Sequence, residues 1–232
     1  MLVRSMAVVV SLALSGATAA AQTQGAPATA SDVYHVHFTK AAPGQADALG
    51  KALMQPNPDS PMPDHFVVLR HQEGDDWDYA VIEHLGPKAA VTTAPATNPG
   101  RDLRAWHDDT FVSGPSWAEF TRQMGIGGSG KPGAIYTVGV HRPVAGHREQ
   151  LEKALSQPPD PGSKIQTGTL LLQHLEGGNW TFLTITRYDS WQDFATDRAA
   201  APTGAAAGGW ADIRQHSAFH RDTIADRLHP AK

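Results

Sequence analysis

The stretch VYHVHFTKAAPGQADALGKALMQP, residues 33–56, is written a second time as IYTVGVHRPVAGHREQLEKALSQP, residues 135–158. The two align without a gap: Tyr34 falls on Tyr136, Val36 on Val138, Gly44 on Gly146, Leu49 on Leu151 and Leu53 on Leu155. Self-similarity over this length marks a duplicated unit and outranks any single motif. Two further blocks recur in the same order. LRHQEGDDWDY from Leu69 matches LQHLEGGNWTF from Leu172, sharing His-x-Glu-Gly-x-x-Trp. AWHDDTF from Ala105 matches AFHRDTI from Ala218, sharing Ala-aromatic-His-x-Asp-Thr. The distance between copies widens along the chain, as it does when insertions collect in loops.

Periodicity gives each unit a coarse structure. Residues 33–39 alternate and predict a strand with Tyr34, Val36 and Phe38 on one face. Residues 41–55 place Leu49 and Leu53 at helical spacing after a Pro-Gly entry. Residues 66–72 and 77–84 predict a hairpin about EGDD, with Gly74 at positive φ. A loop rich in Pro, Ala and Thr follows, then a helix carrying the His-x-Asp-Thr block. The second unit repeats this as strands over 135–141, 169–174 and 180–187, and helices over 144–157 and 210–228. The glycines of MGIGGSGKPGA, residues 124–134, break both periods and predict a linker; the P-loop spacing is missing. SWAEF and SWQDF, from Ser116 and Ser190, read as helix capping boxes and are not in register with the repeat.

Strand, helix, strand, strand, helix is most of a ferredoxin-like βαββαβ unit. No fourth strand is evident. With this order written twice, residues 33–228 resemble the dimeric α/β-barrel superfamily in its tandem-duplicated form. The resemblance implies an α+β fold: two tandem ferredoxin-like modules, residues 33–123 and 135–232, packed as an intrachain α/β barrel with helices outside. Proteins of this kind include cofactor-free oxygenases, isomerases, dehydratases and haem enzymes, so the fold does not choose a reaction.

Residues 1–21 combine Arg4, an apolar run and Ala19-Ala20-Ala21, the layout of a cleaved secretory signal. They predict export, most simply to a periplasm. Residues 22–32 are small and polar and are expected to be disordered. Roughly 210 residues then remain, enough for one large or two small domains. The 232-residue chain has no cysteine, which excludes disulfides and thiolate metal centres. Its formal charge of −4 offers no footprint for nucleic acid, and no later run is apolar enough for a membrane anchor.

The repeated histidines are the candidates for chemistry. On a helix, His107 shares a face with Thr110 and Phe111, and His220 with Ile213, Thr223 and Ile224. Asp109 and Asp222, two residues on, would point elsewhere. His107 and His220 are the candidate catalytic bases, because imidazole titrates near neutral pH. The competing expectation is a histidine that only fixes a helix. His71 and His174, Trp77 and Trp180, Tyr34 and Tyr136, and Thr110 and Thr223 form the candidate ligand-binding set. His35 and His37 point to one side of a strand, with His84 as a conceivable third metal ligand; His216 and His220 form a second such pair. Ligand spacing is incomplete in both, so no metal site is assigned and no cofactor is expected. The functional expectation is binding of a small apolar or aromatic molecule in a cleft lined by His, Tyr and Trp. The alternative is a cofactor-free oxygenase or isomerase with a cavity histidine as general base. The expected partner is that small-molecule ligand, with the chain a monomer or weak homodimer.

Overall fold

Eight strands close into one antiparallel barrel in the order β1-β3-β2-β8-β5-β7-β6-β4. This computed structural model describes residues 31–88, 100–128, 131–157, 165–200 and 209–230; the expected signal peptide lies outside them. The first module supplies β1 (Asp32–Ala41), α1 (Ala46–Leu53), β2 (Phe66–Glu73), β3 (Tyr79–Pro87) and β4 (Arg104–Gly114), followed by α2 (Trp117–Met124). The second supplies β5 (Ile135–Pro143), α3 (Arg148–Leu155), β6 (Gln166–Gly177), β7 (Phe182–Tyr188), α4 (Trp191–Ala200), α5 (Trp210–His216) and β8 (Ser217–His229). Each half has the ferredoxin-like strand order fourth-first-third-second, and the halves join along β2–β8 and β4–β6. The chain is therefore α+β, two ferredoxin-like modules closed as one intrachain barrel. β1 takes in Asp32, one residue before the expected module start.

The missing fourth strand is the His-x-Asp-Thr block. Both copies were expected on helices; they lie on β4 and β8. The helix expected over 210–228 stops at His216, and the chain continues extended. The reason is pairing. β4 exchanges hydrogen bonds with β1 on one side and β6 on the other, and β8 does so with β5 and β2. Closure on both edges outweighs weak local propensity.

The barrel interior is apolar. Val36, Phe38, Val67, Leu69, Ile82, Val138, Leu172 and Ile185 from both sheets meet there with at most 6% exposure. Each such side chain contributes about 1.5–3 kcal/mol. α2 closes one end. Its N-cap Ser116 accepts from the Glu119 amide, and Ser190 accepts likewise from Asp193 before α4, so the N-cap half of each expected capping box forms, without the reciprocal bond to the cap's own backbone. The equivalent tyrosines hold α2 at its two ends: Tyr34 donates to the Pro115 carbonyl at 2.7 Å, and Tyr136 donates to the Met124 carbonyl at 2.8 Å. Trp77 and Trp180 close the other end against Phe38.

The two repeated blocks interlock across the seams. Gly74, at the first hairpin, lies against the second module's β8, where a Cβ would stand 2.5 Å from the Asp222 carbonyl oxygen. Gly177 lies against β4, where a Cβ would stand 2.2 Å from the Asp109 oxygen. Both have φ well inside the positive region, 128° and 116°, so only glycine fits. Thr223 Oγ1 accepts from the Asp75 amide, and Thr110 Oγ1 from the Gly178 amide. Each hairpin thus docks on the other module's fourth strand, and Arg70–Asp226 and Arg221–Asp75 pair across the β2–β8 seam.

Candidate active site

Putting the His-x-Asp-Thr block on strands reverses the reading of its histidine and aspartate. Residues two apart on a strand share a face. His107 Nε2 lies 3.1 Å from Asp109 Oδ2, and His220 Nε2 lies 2.8 Å from Asp222 Oδ1. His220 is hydrogen-bonded to Asp222, whereas His107 stands at ion-pair distance from Asp109. Both pairs stand on the outer faces of the two sheets.

In the first module the register builds a larger cluster. β1 sets His35 opposite Phe111, His37 opposite Asp109 and Thr39 opposite His107, while β3 sets Glu83 opposite His35. Cross-strand partners share a face, so these seven side chains converge. His35 bridges two carboxylates, with Nδ1 2.9 Å from Glu83 Oε2 and Nε2 3.0 Å from Asp109 Oδ1. A continuous chain of contacts therefore runs Glu83–His35–Asp109–His107. Its inner end is covered, with Glu83 and His35 side chains each 12% exposed, and its outer end is open, with His107 at 45%. Asn57 Nδ2 donates to the second Glu83 oxygen, and Phe111 stacks on the His35 ring at 5.0 Å.

The charges follow from these contacts. Burial alone would pull His35 down; the hydrogen bonds to Asp109 and Glu83 and the two negative charges outweigh it and push it up to about 9. Burial would raise Asp109, but the hydrogen bond from His35 and the neighbouring imidazoles hold it below the usual carboxylate range. His37 is held down to about 3 by burial, then by the positive Arg104. At neutral pH the cluster is therefore an imidazolium between two carboxylates, beside a neutral buried imidazole.

The second module keeps the dyad without the relay. Thr137 and Thr186 stand where the first module has His35 and Glu83, and Gly139 stands in place of His37. His141 occupies the position of Thr39 and stacks on His220 at 4.6 Å.

The other sequence candidates are elsewhere. Tyr34 and Tyr136 are fully buried in the barrel, Trp77 and Trp180 are 4% and 5% exposed, and Thr110 and Thr223 face the seams. His71 and His174 do turn inward, but each packs edge-on against its module's tryptophan, at 5.7 and 5.9 Å. Among the described residues these eight line no common cleft; they hold the barrel ends and seams. His84 lies opposite Tyr34 and therefore on the inner face, away from His35 and His37; it bonds Asp32 at 2.8 Å and His65 at 3.1 Å. His216 pairs with His147 Nδ1 at 3.0 Å, separately from His220. An open groove of about 330 Å³ beside α2, lined in part by Ser113, Glu119, Gln123 and Thr169, holds no histidine. Sequence reasoning missed Glu83, Asp109 and Arg104. The i, i+2 spacing of His and Asp, repeated in both modules, was the available signal for a strand.

Comparison with family models and with curated proteins finds no match. Among solved structures the chain is similar to a "putative monooxygenase" from Lactobacillus acidophilus NCFM, at 10% identity and TM-score 0.49 over 85% of this chain and 94% of that one. It is also similar to an anthrone oxidase-like protein, at 12% identity and TM-score 0.49 over 86% and 92%. Among the described residues no helix is long and apolar enough to cross a membrane.

Proposed function

We propose that this chain is an acid–base enzyme for a small organic molecule, with His107 as the proton acceptor. The observation that carries this reading is the relay from Glu83 through His35 and Asp109 to His107. A histidine serving only to pack needs no such support. Here the Asp109 carboxylate, at ion-pair distance, stabilises the imidazolium that forms when His107 takes a proton. His35 in turn fixes Asp109. The flanking rings of His37 and Phe111 suit a planar substrate. The oxygenase and isomerase alternatives share this first step, removal of a proton from carbon or from a phenolic oxygen. Pure ligand binding in a Tyr/Trp cleft loses support, because those residues fill the barrel. Export to the periplasm belongs to the same proposal and rests on the leader pattern of residues 1–21.

The test is deuterium exchange into the C–H positions of a panel of enolisable carbonyl compounds in heavy water, read by mass spectrometry. Tag-free protein should accelerate exchange for a subset. His107→Gln should reduce the rate by about 10²–10⁴-fold, the usual share of a positioned base. Exchange unchanged in His107→Gln would overturn the assignment.

A further inference from the structure

The second module's dyad sits beside a notch that the first module does not have. The nitrogen and oxygen atoms that His141, His220 and Asp222 offer all lie within 4.8 Å of one another. A Cβ built on Gly139 would stand 2.7 Å from Asp222 Oδ1, 2.7 Å from Thr184 Oγ1 and 2.9 Å from His141 Nε2. Three polar atoms thus converge on one point above a residue with no side chain. At the matching place in the first module His37 fills the space. From this geometry we infer that His141, His220 and Asp222 form a binding site for a divalent first-row transition metal ion, distinct from the His107 site.

His141 is 3% exposed, and its Nδ1 has no hydrogen-bond partner among the described residues, so this buried imidazole is short of partners. The nitrogen that faces the notch is the other one, Nε2, 3.0 Å from Thr184 Oγ1, and an ion in the notch takes the place of that contact. Two imidazoles and one carboxylate suit Zn²⁺ and its first-row neighbours, not Mg²⁺ or Ca²⁺.

Geometry adds a specific requirement. The His141 and His220 rings are nearly parallel, 10° apart. Imidazole lone pairs lie in the ring plane, so two stacked rings cannot both aim at one ion. His141 is enclosed, whereas the His220 side chain is 19% exposed and turns once its bond to Asp222 is given up to the ion. Binding therefore rotates His220.

The test is calorimetric titration of tag-free, full-length protein with Zn²⁺, with Co²⁺ as a visible-absorption probe of the same site. One ion per chain is expected, with imidazole-ligated Co²⁺ absorption. Asp222→Asn and His220→Gln should each weaken Zn²⁺ by more than about 100-fold, since even the partners of ligands cost about 10–100-fold. Gly139→Ala, which keeps all three ligands and fills the notch, should also abolish tight binding, and circular dichroism should show it folded. His107→Gln should bind like the parent. Absence of stoichiometric Zn²⁺ binding would overturn the inference. So would binding that survives His220→Gln, or that is lost in His107→Gln or His216→Gln.

Discussion

Replacing His35 with Gln should remove one pH-dependent component of stability and leave the others. Folded His35 is pushed up to about 9 by Asp109 and Glu83, against 6.5 for the free side chain. The folded value is the higher, so the bound proton stabilises the fold. That contribution is complete below about pH 6.5 and is lost as the pH rises through about 9. At about 1.4 kcal/mol for each pH unit of displacement it amounts to about 3 kcal/mol. With the side chain 12% exposed, solvent screening takes little from this. For a chain of this size the loss corresponds to a fall of about 6–12 °C in Tm. The histidines pulled below 6.5, His37, His84, His141 and His229, act in the opposite sense and at lower pH, and the tyrosines raised by burial, Tyr34, Tyr79, Tyr136 and Tyr188, add a loss only as the pH nears 10. Urea denaturation at pH 6.5, 7.5, 8.5 and 9.5 measures the effect. The parent should lose stability across the series, and His35→Gln should start lower and stay flat to pH 8.5. Parallel curves would refute the imidazolium bridge, as would an NMR titration placing His35 near 6.5.

Gly177→Ala should cost at least twice as much as Gly44→Ala in a thermal melt. Both need positive φ, worth about 1–3 kcal/mol, but a Cβ meets the Asp109 backbone only at Gly177 and meets nothing within 4 Å at Gly44. Trp180→Ala should lower stability by about 3–5 kcal/mol in urea denaturation, as for a core residue closing the barrel. Asp109→Asn should slow any exchange reaction found for the parent while lowering the pKa of His35 in an NMR titration, because one of the two charges on that imidazole is gone. Mass spectrometry of exported protein should find an N-terminus at Gln22.

Much of the architecture was legible because duplication doubles every weak signal. Tyr34/Tyr136 and Leu49/Leu151 located the first strand and helix, and the glycine of His-x-Glu-Gly located the hairpin. β4 was illegible for a physical reason. Its outer row reads His107, Asp109, Phe111, and its inner row reads Trp106, Asp108, Thr110, Val112, so neither row is apolar. The strand is held by β1 and β6, which are distant in sequence, and by a glycine hairpin from the other module. Placing it on a helix separated His107 from Asp109 and concealed the site. Glu83 was hidden similarly: only the β1–β3 register brings it to His35, and one residue of slip would turn it to the other face. The tyrosines and tryptophans looked like a cleft because large aromatic residues suit either a pocket or a core.

Closure of the two sheets within one chain also removes a constraint. When two identical chains build such a barrel, every substitution is made twice, and both faces change together. Here the residue facing the first dyad is His37 and its counterpart is Gly139, a difference that identical subunits could not hold. Fusion has let one face accumulate a charge relay and the other open a notch while the shared seams keep both faces folded. Equivalent positions of the two halves carry different side chains, and each face can be altered without the other having to follow.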